Sequence, residues 1–213
     1  MFFSKILSFL VTMGFALSIT VQASAQHSHW DSLRELPFNE NYPTKESTER
    51  LYDEMLFHRS TQVLQWSLPA MTLWAMKRGS EKQFGDGSHI FPIWKDRLTS
   101  DTLVSTPNCD VIYGMGYLDL KKDGPTVIEV PPKLQGMLDD FWHRPLCDVG
   151  FVGPDKGEGG KYLILPPGYK GGIPQGYFAF TSRTYNVFVF WRAFRDKQGD
   201  TAQAVALMEK TRI

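Results

Sequence analysis

Glycine and proline are spread unevenly along this chain, and the unevenness limits the possible folds more than any other feature. Thirteen of the 18 Gly and nine of the 13 Pro fall between residues 100 and 195. Proline removes a backbone N–H, and glycine costs entropy inside a regular element, so long helices do not survive this density. Between the breakers lie short apolar runs rich in β-branched and aromatic residues: 111–120, 126–130, 162–165, 177–180 and 185–191. Pro131-Pro132 closes the second run and Pro166-Pro167-Gly168 the third. Turn-bounded runs of this kind predict the strands of an antiparallel β-sandwich. No helix-length pattern separates them, which disfavours a parallel βαβ sheet. In the first run Val111, Tyr113, Met115 and Tyr117 share one face. Ile112, Leu118 and Leu120 share the other, with Gly114 and Gly116 between them.

Residues 44–98 read differently. Thr44, Ser47 and Thr48 are candidate N-caps, and Glu46 and Glu49 suit the first turn of a helix. Tyr52, Met55, Leu56, Val63 and Trp66 recur at helical spacing, with Arg59 as the polar exception. Pro69 is expected to kink or end this helix, and Gly79 to stop its continuation. Residues 63–76 are apolar nearly all round, which predicts a buried helix that is too short for a membrane span. From Ala202, with Ala204, Val205, Leu207 and Met208 apolar, a last helix of about ten residues is expected, capped by Asp200 or Thr201 and marginal unless its face is buried. The expected class is therefore α+β, with segments at 44–98 and 99–213.

The first 25 residues are set apart. Lys5 precedes an apolar run, and Ala23-Ser24-Ala25 places small residues where a signal peptidase cuts. The pattern predicts a cleaved secretory leader, hence a periplasmic or secreted protein with no membrane span after cleavage. Residues 26–43 are an exposed lead-in. Export places Cys109 and Cys147 in an oxidising compartment, where they either pair or remain separate buried thiols. The 23 basic and 23 acidic residues cancel, so no basic footprint for nucleic acid exists. Aromatic residues at 14% exclude a disordered chain. Two cysteines exclude a disulfide scaffold and a four-thiolate zinc site.

Searches for known chemistry are mostly negative. There is no Walker A loop, nucleophile elbow, zincin motif or dinucleotide fingerprint. Two constellations remain. Asn108-Cys109-Asp110 precedes the strongest strand; such residues form turns or offer polar groups to a ligand. Asp139-Asp140-Phe141-Trp142-His143-Arg144 is the second. Read as a strand, it puts Asp140, Trp142 and Arg144 on one face and Asp139, Phe141 and His143 on the other.

Several short motifs occur together in order: Thr106-Pro107-Asn108-Cys109-Asp110-Val111-Ile112-Tyr113, Leu118-Asp119-Leu120, Asp139-Asp140-Phe141-Trp142, Asp148-Val149-Gly150, Gly153-Pro154-Asp155 and the run 159–169 from Gly159-Gly160-Lys161 to Tyr169. In this the chain resembles the DUF1254 family over about residues 50–213. The resemblance implies a bacterial, often secreted protein with a helical portion leading into an immunoglobulin-like sandwich. It further implies a second, DUF1214-type domain, which this chain is expected to lack as a truncated form. The family commonly has Asn-Arg-Asp-Thr where Asn108-Cys109-Asp110-Val111 stands here, so a charge is lost from that turn. The family name brings no reaction with it.

The expected function is binding of a small or amphiphilic molecule in the cell envelope, in a cleft rich in aromatics and carboxylates. Asp140 is the candidate acid–base or metal-facing group and Arg144 its partner or an anion clamp. Trp142 and Tyr113 are the apolar walls, and Asn108 and Asp110 the flanking polar groups. An envelope hydrolase using carboxylate or metal chemistry is one alternative, and a structural module assembling with another chain is a second. Cofactor, metal and oligomeric state stay open.

Overall fold

The computed structural model describes residues 29–102 and 108–213; the expected leader at 1–25, and the start of the Asn108 motif at Thr106-Pro107, lie outside them. The chain divides into two compact units, residues 1–65 and 66–213.

In the first unit, residues 29–34 are helical and precede a small hairpin of β1 (Phe38–Asn39) and β2 (Tyr42–Pro43). Glu40 and Asn41 turn it with φ of 49° and 68°, the paired positive values of a tight hairpin turn. Helix α1 (Lys45–Phe84) follows. Of the candidate caps, Thr44 is the one used: its Oγ1 accepts the Ser47 amide at 3.2 Å. Glu54 receives His29 at 3.1 Å and His58 at 2.9 Å, and His58 stacks on Trp30.

The helix corrects two expectations. It runs through Pro69 and past Gly79, and stops at Phe84 before Gly85, whose φ is +102°. A single proline removes one intrahelical hydrogen bond, and the turns on either side keep theirs. Nor is the apolar stretch buried. Val63, Trp66, Leu68, Met71 and Trp74 are exposed, and only Leu73 is fully enclosed. Apolar composition all round a helix does not create neighbours for every side: within the second unit, Leu73 is the fully enclosed residue that packs on the sheet.

That unit holds two sheets. Strands β3 (Val111–Asp119), β9 (Asn186–Phe194), β5 (Gln135–Asp140) and β6 (Pro145–Val149) form the first, antiparallel throughout, in the order β3-β9-β5-β6. Strands β4 (Thr126–Val130), β7 (Gly160–Leu165) and β8 (Phe178–Thr181) form the second. Here β7 and β8 are parallel, against the all-antiparallel expectation. The connection 166–177 crosses over without a helix, and so carries no helical pattern to announce a parallel pair.

The sheets share one core. Ile112, Leu138, Val189 and Trp191 meet Ile128, Val130, Tyr162 and Ile164. Phe91 fills the hollow opposite Gly114, where a Cβ would stand 2.5 Å from its ring. Helix α2 (Ala202–Met208) docks here through buried Ala204 and Met208, and the Asp200 carboxylate caps Ala202 at 2.9 Å. The outer face of the first sheet carries Val111, Tyr113, Met115, Tyr117 and Phe188, packed with Leu73, Leu98 and Phe141 in a second cluster. The period-2 partition of residues 111–118 is therefore the partition between the two cores. Among the described residues no helix is long and apolar enough to cross a membrane.

Candidate functional site

Asp140 ends β5, and the chain turns there instead of continuing as a strand. Residues 141–144 form the loop to β6, and His143 takes φ +53°. The expected strand alternation through Arg144 therefore fails. Asp140 is 1% exposed. Its Oδ1 accepts the Trp142 amide at 2.8 Å and the Arg144 amide at 3.1 Å. Its Oδ2 accepts Arg144 Nε at 2.7 Å and Nη2 at 2.6 Å. The expected Asp140–Arg144 pair forms, and it closes a hairpin. Four donors occupy the carboxylate, leaving it no open side for a substrate proton. Trp142 turns its ring to Trp66, 4.5 Å between centroids.

The other predicted residues lie elsewhere. Asn108 Oδ1 accepts the Asp110 amide at 2.6 Å, an Asx turn, and the Asn108 amide donates to the Tyr113 hydroxyl at 3.0 Å. Asp110 is exposed and faces Arg195 at 3.6 Å. Tyr113 is buried at 4% exposure and packs on Phe190. In register, Val111 pairs with Phe194 and Asp140 with Val187. Seven residues of β9 separate those levels, roughly 23 Å of strand. Asn108 and Asp110 thus stand at the opposite end of the sheet from Asp140, Trp142 and Arg144, and the six do not form one cleft.

The structure brings a different set together. The second half of α1, the segment at Trp94 and strand β3 enclose a cleft of 430 Å³. Met76, Phe84, Trp94, Met115 and Tyr117 supply apolar walls, and Ser80 and Gln83 supply polar groups. Burial raises the pKa of the Tyr117 hydroxyl, which stays a neutral donor at physiological pH. Tyr117 also begins a row across the sheet: it pairs with Phe188, which pairs with Asp139. The Tyr117 and Phe188 rings stack at 5.6 Å, and His143 meets Phe188 edge-on at 5.8 Å.

Asp139 is the carboxylate that sequence reasoning passed over in favour of its neighbour. It is 4% exposed, with Oδ2 3.3 Å from His143 Nδ1 and Oδ1 buried without a hydrogen-bond partner. The strand alternation did group Asp139, Phe141 and His143 on one face. That grouping was the available signal.

Both cysteines are free thiols. Cys147 lies on β6 and Cys109 precedes β3, the two opposite edges of the sheet, roughly 14 Å apart across three strand spacings and further still along the strands. A bridge needs Cα atoms within about 7 Å, so the thiols are separate, but Cys109 is exposed where both were expected to be buried. Burial, with Asp148, Asp155 and Asp139 nearby, pushes the Cys147 thiol up to about 12. Ser88 spends its hydroxyl on structure, donating to Asp123 Oδ2 at 2.5 Å and accepting the Asp119 amide at 3.0 Å. Among the described residues no three His, Cys, Asp or Glu side chains are placed to hold a metal ion.

A family model described as "Protein of unknown function (DUF1254)" matches residues 90–213. No curated protein matches the chain. Among solved structures it is similar to the crystal structure of the VPA0106 protein from Vibrio parahaemolyticus, with a TM-score of 0.52 and 15% identity over 69% of this chain. The match covers 35% of that protein, so this chain spans about a third of its length. At this identity the likeness is one of fold.

Proposed function

The chain belongs to the DUF1254 family, and from that premise we propose that it is an exported envelope protein that binds a small amphiphilic molecule in the cleft between α1 and β3. The cleft itself carries this reading. Its 430 Å³ falls within the roughly 300–1,000 Å³ of ligand sites, with mostly apolar walls and few polar groups. The apolar body of a ligand would lie against Trp94, Met115 and Tyr117, and its polar end would face Ser80 and Gln83. Export is supported by the residues of the leader, Lys5, the apolar run and Ala23-Ser24-Ala25.

Gly79 provides the test. It lines the cleft, and a Cβ built there meets nothing within 4 Å. A Gly79→Leu side chain would therefore grow into the cleft without a clash. It would also stabilise α1, since glycine inside a helix costs about 1 kcal/mol. The fluorescence of the neutral probe N-phenyl-1-naphthylamine should rise saturably with the wild-type protein. The response should vanish in Gly79→Leu while the melting temperature holds or climbs. Equal binding by the two proteins would refute the cleft as the site.

A second reading, an envelope hydrolase working by carboxylate acid–base chemistry, is favoured by one observation, the buried Asp139 beside the half-exposed His143. A carboxylate on Nδ1 orients an imidazole and leaves Nε2 to take a proton.

A further inference from the structure

The loop 150–159 and helix α2 enclose a groove of 750 Å³ that shares no lining residue with the cleft. Lys133, Lys156 and Lys210 line it together with Phe151 and Phe194, and among the described residues Glu158 is its one carboxylate. Among the described residues none of the three ammonium groups has an ion-pair partner. Phe151 is 64% exposed and Phe194 61%. We propose that this groove is a second ligand site, for an anionic amphiphile whose carboxylate or phosphate head meets the three lysines and whose apolar body lies on the two phenylalanines.

Three features of the loop support a built site. First, the loop is held from inside. Asp155, 4% exposed, accepts the Gly150 amide at 2.8 Å, the Gly159 amide at 3.1 Å and the Tyr162 hydroxyl at 2.7 Å. Phe151 therefore stands in water on a fixed support, packed over Gly157, where a Cβ would lie 3.1 Å from its ring. Second, Lys133 and Lys156 have φ of +71° and +51°, left-handed conformations that glycine or asparagine adopts more readily. The Lys133 amide also donates to the Gly157 carbonyl at 2.8 Å, which ties the two lysine-bearing turns together. Strain accepted in order to place a charge points to a use for that charge. Third, the charges do not cancel: three ammonium groups face one carboxylate, which favours an anion despite Glu158.

The strain also supplies the test. Lys133→Asn and Lys156→Asn remove two charges and suit the left-handed backbone, and Lys210→Gln removes the third. This triple variant should fold at least as stably as the wild type. Dodecanoate should bind the wild-type full chain at low ionic strength. Dodecanol, with the same tail and no charge, should bind about tenfold more weakly, and the triple variant should lose dodecanoate to a similar degree. The same order should hold in the Gly79→Leu background, where the cleft is blocked to both amphiphiles, which separates the groove from the cleft. Capture by phosphatidylglycerol vesicles but not phosphatidylcholine vesicles, lost in the triple variant, would support the same chemistry with a membrane lipid as the source. The proposal is overturned if neither dodecanoate nor anionic vesicles bind, if dodecanol binds as well as dodecanoate, or if the triple variant binds like the wild type.

Discussion

Replacing Asp140 with Ala separates two roles for this carboxylate. If it holds the hairpin, the cost is one of stability. The substitution leaves the amides of Trp142 and Arg144 without acceptors, each worth about 1 kcal/mol in a partly buried loop. It also ends the double contact to the Arg144 guanidinium. That side chain is 46% exposed, so solvent screens the pair and its loss adds about 1 kcal/mol. The sum is about 3 kcal/mol, and at 2–4 °C per kcal/mol for a chain of this size the melting temperature should fall by roughly 6–12 °C. Asp140→Asn keeps one acceptor oxygen and should lose about half as much. Arg144→Met should cost about 1 kcal/mol, since both amide bonds remain. Urea unfolding followed by tryptophan fluorescence measures all three. A loss below about 0.5 kcal/mol for Asp140→Ala, the scale of an ordinary surface substitution, would refute the hairpin argument and return Asp140 to the candidates for chemistry.

Two further predictions concern Asp139 and Cys147. If the Asp139–His143 pair acts as a general base, His143→Gln and Asp139→Asn should each lower saturable hydrolysis of a chromogenic ester by at least about 100-fold. Turnover equal to the wild type in both variants would eliminate the hydrolase reading. Cys109, exposed, should react with a thiol reagent at pH 8 ahead of Cys147, whose pKa is pushed up to about 12 and which should react only on unfolding. Because the folded pKa lies above the unfolded value of 9.0, the burial of Cys147 contributes stability below pH 9 that is lost as pH rises toward 12. Cys147→Ala should flatten that alkaline loss in a series of melting temperatures; an unchanged slope would count against the burial of the thiol.

Much of the sandwich was legible because strand periodicity is local. Val111, Tyr113, Met115 and Tyr117 separate from Ile112 and Leu118 by alternation alone, and the two cores use that separation. The glycines of β3 were visible as breaks in the pattern, but the Phe91 ring that fills the space opposite Gly114 comes from outside the strand. Breakers were less reliable in the helix. Pro69 and Gly79 are helix-ending signals, yet α1 continues to Phe84. Their local cost is set against tertiary contacts such as the burial of Leu73, which no local pattern reports. The end of β5 was hidden for a related reason. No glycine or asparagine marks the loop 141–144, and His143 itself adopts the positive φ.

Strand order decided the candidate site. The residues around Asn108 and those around Asp140 both flank aromatic runs, which invites joining them. Strands β3 and β5 are both antiparallel to β9, one on each side, so they run in the same direction. Residues before the start of β3 and residues at the end of β5 must then lie at opposite ends of the sheet, whatever their chemistry. The same register brings the end of β3 beside the end of β5: Tyr117 and Asp139 both pair with Phe188, about 10 Å apart over two strand spacings. The carboxylate that this register brings level with Tyr117 is thus Asp139, buried, with one unpartnered oxygen and His143 beside the other. Asp140, one residue later, has the opposite facing and four donors already in place. A shift of one position along a strand exchanges the two faces, and here it also separates a turn-holding carboxylate from a buried one that faces a histidine.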